Sequence, residues 1–250
     1  VIDKEGNFEG RTKGSGKILA SVEDLTGETH LEVNPGTPAE IMVEPSSLDL
    51  SASESQKLSV QVKDEFGNLL EDASYAWALS YDLGTMEEDD TFYAHTVGEG
   101  ELKITCGDAS TRLPVMVHPG PLSRILVLPE SLETQAGAET TLKAEGFDMH
   151  GNEVAIEPVW SVTDGLGVFS EPGVFEARLS GRGYLCAAVD AVVGTSDLMV
   201  KPGPVTHIDV QPANIEVEAG NEIDFTATAY DALGNEVPVE YAWTVRNTQT

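Results

Sequence analysis

Basic residues are scarce in this sequence: 14 lysines and arginines stand against 43 aspartates and glutamates, a formal charge of −29 with a pI near 4.2. So anionic a surface repels nucleic-acid phosphates and anionic lipid headgroups, which excludes both as partners. Its ordinary consequence is a well-hydrated, soluble protein. Cysteine is nearly absent, with only Cys106 and Cys186, so the fold must rest on full-sized cores and not on covalent staples. No run of about 20 apolar residues occurs, and no basic-then-apolar amino terminus, so the sequence predicts neither a membrane-spanning helix nor a signal peptide. Because Val1 falls in the middle of a repeat, the expectation is a mature or excised piece whose targeting signal lies elsewhere. Amphipathic helical periodicity is missing as well.

What the chain does have is strand chemistry. Hydrophobic residues make up 40% and charged residues 23%, enough to build cores and well away from the composition of disorder. Val, Thr, Ile and aromatic residues recur in short runs broken by Gly, Pro, Asn and Asp, the pattern of an all-β chain.

These runs repeat. Trp77, Trp160 and Trp243 stand 83 residues apart at each step, in the settings Tyr75-Ala76-Trp77, Pro158-Val159-Trp160 and Tyr241-Ala242-Trp243. Upstream of each lies one turn signature: Asp64-Glu65-Phe66-Gly67-Asn68, Asp148-Met149-His150-Gly151-Asn152 and Asp231-Ala232-Leu233-Gly234-Asn235. Phe8, Phe92 and Phe175 each precede a Gly-x-Gly by six residues, at Gly14/Gly16, Gly98/Gly100 and Gly181/Gly183. Pro35-Gly36-Thr37-Pro38, Pro119-Gly120-Pro121 and Pro202-Gly203-Pro204 then mark junctions. The predicted domains are a back half module at 1–36, whole modules at 37–120 and 121–203, and a front half module at 204–250.

Within a unit, alternation predicts a strand at 41–44, 125–128 or 208–211, then one carrying Leu48 and Leu50, or Ile215 and Val217. The next places Leu58, Val60 and Val62 on one face, matched by Leu142 and Ala144, and by Phe225, Ala227 and Ala229. It stops at the Asp-x-x-Gly-Asn turn, where Gly supplies positive φ and Asp can bond its own backbone. The Trp strand, the Phe strand, the Gly-x-Gly strand (inward Ile18, Ala20 and Val22, or their counterparts) and a last strand such as 115–117 follow. About seven short strands in some 83 residues describe an immunoglobulin-like sandwich, roughly 35–45 Å long. The fold class is therefore all-β, tandem immunoglobulin-like β-sandwiches arranged end to end.

The order Asp-x-x-Gly-Asn, Trp, Phe-x-Ala, Gly-x-Gly, Pro-Gly resembles the bacterial immunoglobulin-like (Big-type) repeats of intimin- and invasin-type adhesins and other prokaryotic surface proteins, and the resemblance covers the whole chain. It implies a non-catalytic stalk, adhesin or accessory role at the cell surface or outside the cell. The cross-sheet disulfide of antibody domains is missing.

Candidate chemistry is sparse. Cys106 aligns with inward Val22 and Val189, and Cys186 with outward Leu19 and Lys103; lying in different modules, they cannot meet disulfide geometry and are expected as free thiols. The Asp-x-x-Gly-Asn turns invite calcium, but each offers two side chains where calcium wants six to eight oxygens, so the turn reading is preferred. Glu87-Glu88-Asp89-Asp90 reads as a solvated hairpin tip. His30, His95, His118, His150 and His207 occupy non-equivalent places and fit no metal or nucleophile motif. The tryptophans read as core and not as sugar platforms. The expectation is no catalytic, cofactor-binding or metal site, and no enzyme.

The function this predicts is a structural or adhesive stalk or filament segment of a secreted or cell-surface protein, its half modules completed head to tail by neighbouring modules or copies of itself, with a host, cell-surface or glycan ligand in view. An accessory segment of a secreted polysaccharide-active enzyme is the alternative. Direct membrane insertion is not expected.

Overall fold

In a computed structural model, which describes residues 1–246, the regular structure is all strand apart from a 3-10 turn at Thr163–Gly165; no α-helix forms among the described residues. The chain divides into two compact units, Val1–Pro121 with Met149–Asn152, and Leu122–Asp148 with the residues from Glu153 onward.

The first unit opens with a hairpin, β1 (Gly14–Val22) and β2 (Leu25–Val33), paired from Gly14↔Val33 to Val22↔Leu25. Nine strands follow: β3 (Glu40–Glu44), β4 (Leu48–Ser51), β5 (Ser55–Lys57), β6 (Ser59–Lys63), β7 (Ala76–Leu79), β8 (Gly84–Met86), β9 (Thr91–Ala94), β10 (Gly98–Cys106) and β11 (Ala109–His118). One sheet runs β4-β11-β10-β7; opposite it lie β3-β6 and β5-β9-β8, with β5 and β6 forming one strand interrupted at Leu58. Alternation along β10 turns Leu102, Ile104 and Cys106 inward, as the period of two requires. They meet Phe92, Leu58 and Val62 from the facing strands and Leu113, Val115 and Val117 from β11. Burying each such side chain contributes roughly 1.5–3 kcal/mol, so this shared core holds the two sheets face to face.

Gly84 makes that packing possible. A Cβ there would run into the Tyr93 carbonyl oxygen and the ring of Phe92, which is fully buried. The second unit repeats the device, with Gly167 over Phe175. Gly84 and Gly167 also lie 83 residues apart, in step with the repeat.

The second unit contains β12 (Arg124–Leu128), β13 (Ser131–Gln135), β14 (Glu139–Thr141), β15 (Lys143–Phe147), β16 (Glu153–Val154), β17 (Val159–Val162), β18 (Gly167–Glu171), β19 (Val174–Ala177), β20 (Gly181–Val189) and β21 (Val192–Lys201). Its sheets run β13-β21-β20-β17, β12-β15-β16 and β14-β19-β18, the strand order of the first sandwich. Trp160, Phe169 and Phe175 stack in series across its core, centroids 5.5 and 5.4 Å apart. The unit closes with β22 (His207–Gln211) paired to β23 (Thr226–Tyr230).

Several expectations require correction. The strand expected around Ile215 and Val217 does not form, and neither does one at Trp243, which is 55% exposed. The reason lies in the ladder. In the complete sandwich the equivalent strands β13 and β17 are held by β21 and β20, and no such partners face residues 212–217 or 241–246 among the described residues. Val22, expected inward, is 68% exposed for the same lack of a facing sheet, and Phe8 has only an isolated bridge to Ile2 where Phe92 and Phe175 sit in three-stranded sheets. The front half module predicted at 204–250 ends in residues 247–250, which lie outside the described residues. Trp77 and Trp160 are half-buried against the core clusters.

Candidate functional site at the Asp-x-x-Gly-Asn turns

The turn that repeats through the sequence is where the polar chemistry of the chain concentrates. In Asp64–Asn68, Gly67 takes φ 82°, the left-handed conformation that reverses the chain, and its N–H donates to the Asp64 carbonyl (3.0 Å). Asp64 Oδ1 then accepts from the backbone N–H groups of Phe66 (3.0 Å) and Asn68 (2.8 Å). Asp64 Oδ2 accepts from Asn68 Nδ2 (2.8 Å) and from the N–H of Gly36 in the Pro-Gly junction (2.8 Å). Asp231 repeats each contact, with Leu233, Asn235 and the N–H of Gly203 (2.8 Å) as donors.

Four N–H groups aimed at one carboxylate stabilise its charged form. The Gly36 N–H above all holds Asp64 at a pKa of about 2, against the opposing effect of burial. At Asp231 burial pushes upward, yet the bonds from the Asn235 side chain, Gly203 and Leu233 outweigh it and leave the pKa at about 2. Both oxygens of each carboxylate are thus occupied by donors, which leaves no lone pair presented to a cation.

The asparagine faces the other way. Asn68 Oδ1 accepts from the Lys13 N–H (2.7 Å) while its Nδ2 donates to the Arg11 carbonyl (2.8 Å). Asn235 makes the same pair with the Ser180 N–H (2.7 Å) and Arg178 carbonyl (2.8 Å), and Asn152 with the Val97 N–H (3.0 Å) and His95 carbonyl (2.8 Å). In all three the partners lie 57 and 55 residues upstream, just before a Gly-x-Gly strand. One carboxamide thereby imitates a strand's alternating donor and acceptor.

An unanticipated fourth copy, Asp3-Lys4-Glu5-Gly6-Asn7, sits at a different place in the repeat. Its internal bonds are the same: Asp3 Oδ1 accepts from the Glu5 and Asn7 N–H groups and Oδ2 from Asn7 Nδ2, with Gly6 at φ 90°. The turn is exposed, and its side chains carry none of the contacts to distant backbone made by Asn68, Asn152 and Asn235.

The acidic run at 87–90 is not merely solvated. Asp90 accepts from Tyr75 Oη (2.6 Å) and Trp77 Nε1 (3.0 Å), and burial together with that carboxylate pushes the Tyr75 pKa up to about 12. Asp89 accepts from the Thr91 N–H (3.2 Å) and pairs with Lys57 (3.3 Å), while Glu87 and Glu88 border a shallow cleft of about 400 Å³ beside Tyr75 and Trp77. His95 and His150, unrelated by the repeat, come within 6.2 Å centroid to centroid; His118 pairs with Asp49 and His207 with Asp209. Cys106 is buried and Cys186 half-buried, both free thiols. Among the described residues no three His, Cys, Asp or Glu side chains are grouped to hold a metal ion, and no helix is long and apolar enough to cross a membrane.

No family model matches the chain. Ice-binding protein 1 of Shewanella frigidimarina (strain NCIMB 400) is 22% identical over 240 residues, covering 94% of this chain; the chain spans 27% of that protein's length. Among solved structures, invasin, a bacterial integrin-binding protein, is similar at 17% identity and a TM-score of 0.44, over 80% of this chain and 48% of that one. InvD of Yersinia pseudotuberculosis is similar at 14% and 0.39, over 79% and 71%. The S-layer protein SbsC is similar at 15% and 0.35, over 94% and 41%.

Proposed function

We propose that this chain is a non-catalytic structural or adhesive segment of a secreted or cell-surface protein, built from tandem immunoglobulin-like modules at 37–120 and 121–203 with half modules at 1–36 and 204–250. The observation that carries this reading is the recurrence of one strand order in two sandwiches. In each, the first strand (β3 or β12) pairs antiparallel with β6 or β15 on one sheet, and the chain then crosses to the other sheet, where β4 or β13 runs parallel to the last strand (β11 or β21), the arrangement of immunoglobulin-type sandwiches. A repeated module with a repeated junction is the construction of an array, in which stability and length accrue unit by unit. Small-angle scattering tests it. A compact 250-residue protein has a radius of gyration of about 18 Å; modules placed end to end give a clearly larger value, and one near 18 Å overturns the reading.

The half modules carry the second part of the proposal. Val210, Ile223, Phe225 and Trp243 line an open apolar face, and their counterparts in the second sandwich, Val127, Leu142 and Trp160 among them, pack beneath β19–β21. A back half of the kind at 1–36 is the chemically matched cover, and a second copy supplies it head to tail. Light scattering of the 250-residue chain should show growth with concentration that deletion of 1–36 abolishes; a monomer at all concentrations removes this part. The fold is further proposed to need no metal, so a calcium chelator should leave the melting temperature unchanged, and a drop of many degrees would refute it.

A further inference from the structure

Four Asp-x-x-Gly-Asn turns in one chain make an internal comparison. The turn at 3–7 closes on itself with the same Asp-centred bonds as those at Asp64 and Asp231, so those bonds suffice to form it. The bonds that Asn68, Asn152 and Asn235 make to backbone 55 and 57 residues upstream are therefore additional to the turn. So are those that Asp64 and Asp231 accept from Gly36 and Gly203.

What they join is consistent. In the first unit the turn after β6 grips the residues just before β1 and the Pro-Gly segment just after β2, so the hairpin is held at both ends of its path. In the second unit the turn after β23 grips the residues just before β20 and the Pro-Gly segment just after β21. Between its prolines, Gly203 carries the junction's free donor, since proline has no N–H, and that donor goes to Asp231. Asp231 and Asn235 are buried, so each unmade bond would leave a desolvated polar group.

We infer that the Asp-x-x-Gly-Asn turn is a coupling joint: at Asp64–Asn68 in the first unit and Asp231–Asn235 in the second, its asparagine side chain and its aspartate carboxylate together fasten one repeat to the back half of the repeat before it, so that the two open as one. The inference rests on the repeat reading given above and adds a mechanism to it. The joint is made of side chain-to-backbone hydrogen bonds, so the upstream repeat contributes only backbone groups to it. It also needs no bridging ion.

Amide hydrogen exchange of the whole chain tests this. In Asn235→Ala the Ser180 amide loses its acceptor and should exchange about tenfold faster or more, the effect of losing hydrogen bonds of ordinary strength. If the joint couples repeats, amides in the β22–β23 ladder should speed up with it, while those of Leu185 and Ala187 in the neighbouring core stay protected. Ser180→Pro removes the donor from the opposite side without touching the turn, and should loosen β22–β23 in the same way. Asn7→Ala, in the turn that reaches no neighbour, should change exchange only locally. Unchanged β22–β23 protection in both Asn235→Ala and Ser180→Pro overturns the inference. So does equal loosening by Asn7→Ala. The scattering result bears on the array reading alone, so the two fail separately: a compact radius of gyration with coupled exchange would refute the array and keep the joint.

Discussion

Gly167→Ala adds a single methyl group to the second unit and sets two effects against each other. Alanine restricts the unfolded chain more than glycine does, which favours folding by about 0.4–1 kcal/mol where the backbone permits it. Against this, the new Cβ would lie 2.5 and 2.6 Å from two atoms of the Phe175 ring and still closer to the Glu176 carbonyl oxygen. Neither neighbour can yield easily. The ring is fully buried and sits against Phe169, which in turn sits against Trp160, while the carbonyl belongs to the strand paired with β18. Overpacking of this kind costs roughly 1–3 kcal/mol, and with a backbone atom in the way the cost should lie near the top of that range, so destabilisation wins by about 2 kcal/mol. A chain of two units does not melt as one two-state system, so the readout must be local. In a Trp77→Phe, Trp243→Phe background Trp160 alone reports, and urea unfolding followed by its fluorescence gives the midpoint for its own sandwich. A Gly167→Ala midpoint equal to or above that of the background protein would refute the close-approach argument, and with it the explanation for Gly84.

Three further outcomes are expected. Asp64 and Asp231 have folded pKa values of about 2 against the ordinary 3.8, so their contribution is complete above about pH 4 and lost as pH falls toward 2; melting temperatures measured from pH 6 to 2 should fall over that window, and less so in Asp64→Asn/Asp231→Asn. Asp90→Ala strands the Tyr75 hydroxyl and Trp77 indole N–H together and should lower stability by about 1–3 kcal/mol, with a shift in Trp77 emission, whereas Glu88→Ala at the same tip should be near neutral. In the native protein an aromatic disulfide reagent should titrate Cys186 first and reach Cys106 only on unfolding, and equal rates would contradict the burial difference.

Much of the β architecture could be read directly, because a period of two is a local property. Leu102, Ile104 and Cys106 on β10 point as their alternation requires. Alternation gives the direction of a side chain and not what covers it, which is why Val22, on the same pattern in β1, is open to solvent. The turn at Asp64–Asn68 was legible as a turn from its glycine and aspartate, but the reach of Asn68 to Arg11 spans 57 residues and has no local signature. Asp90 misled for a related reason. Four consecutive acidic residues read as a solvated tip, and only the folded chain shows that one of them turns inward beneath Tyr75 and Trp77. The fourth turn, at Asp3–Asn7, was visible in the sequence as the same five-residue pattern and lay outside the 83-residue register that drew attention to the others.

The parallel pairing of β4 with β11, and of β13 with β21, has a mechanical meaning. In each sandwich these strands lie near the start and near the end of the chain's path, and they run the same way, with Leu48–Ser51 opposite Val115–His118 and Ser131–Gln135 opposite Asp197–Lys201. Tension applied to the two ends pulls such strands past each other along their length. Every bond of the ladder is then loaded at once, instead of being broken singly from one end as in a hairpin peeled open. Pulled at its two ends, the chain would therefore resist extension most at these two ladders, and the antiparallel hairpins β1–β2 and β22–β23, which have no parallel ladder, would yield at lower force.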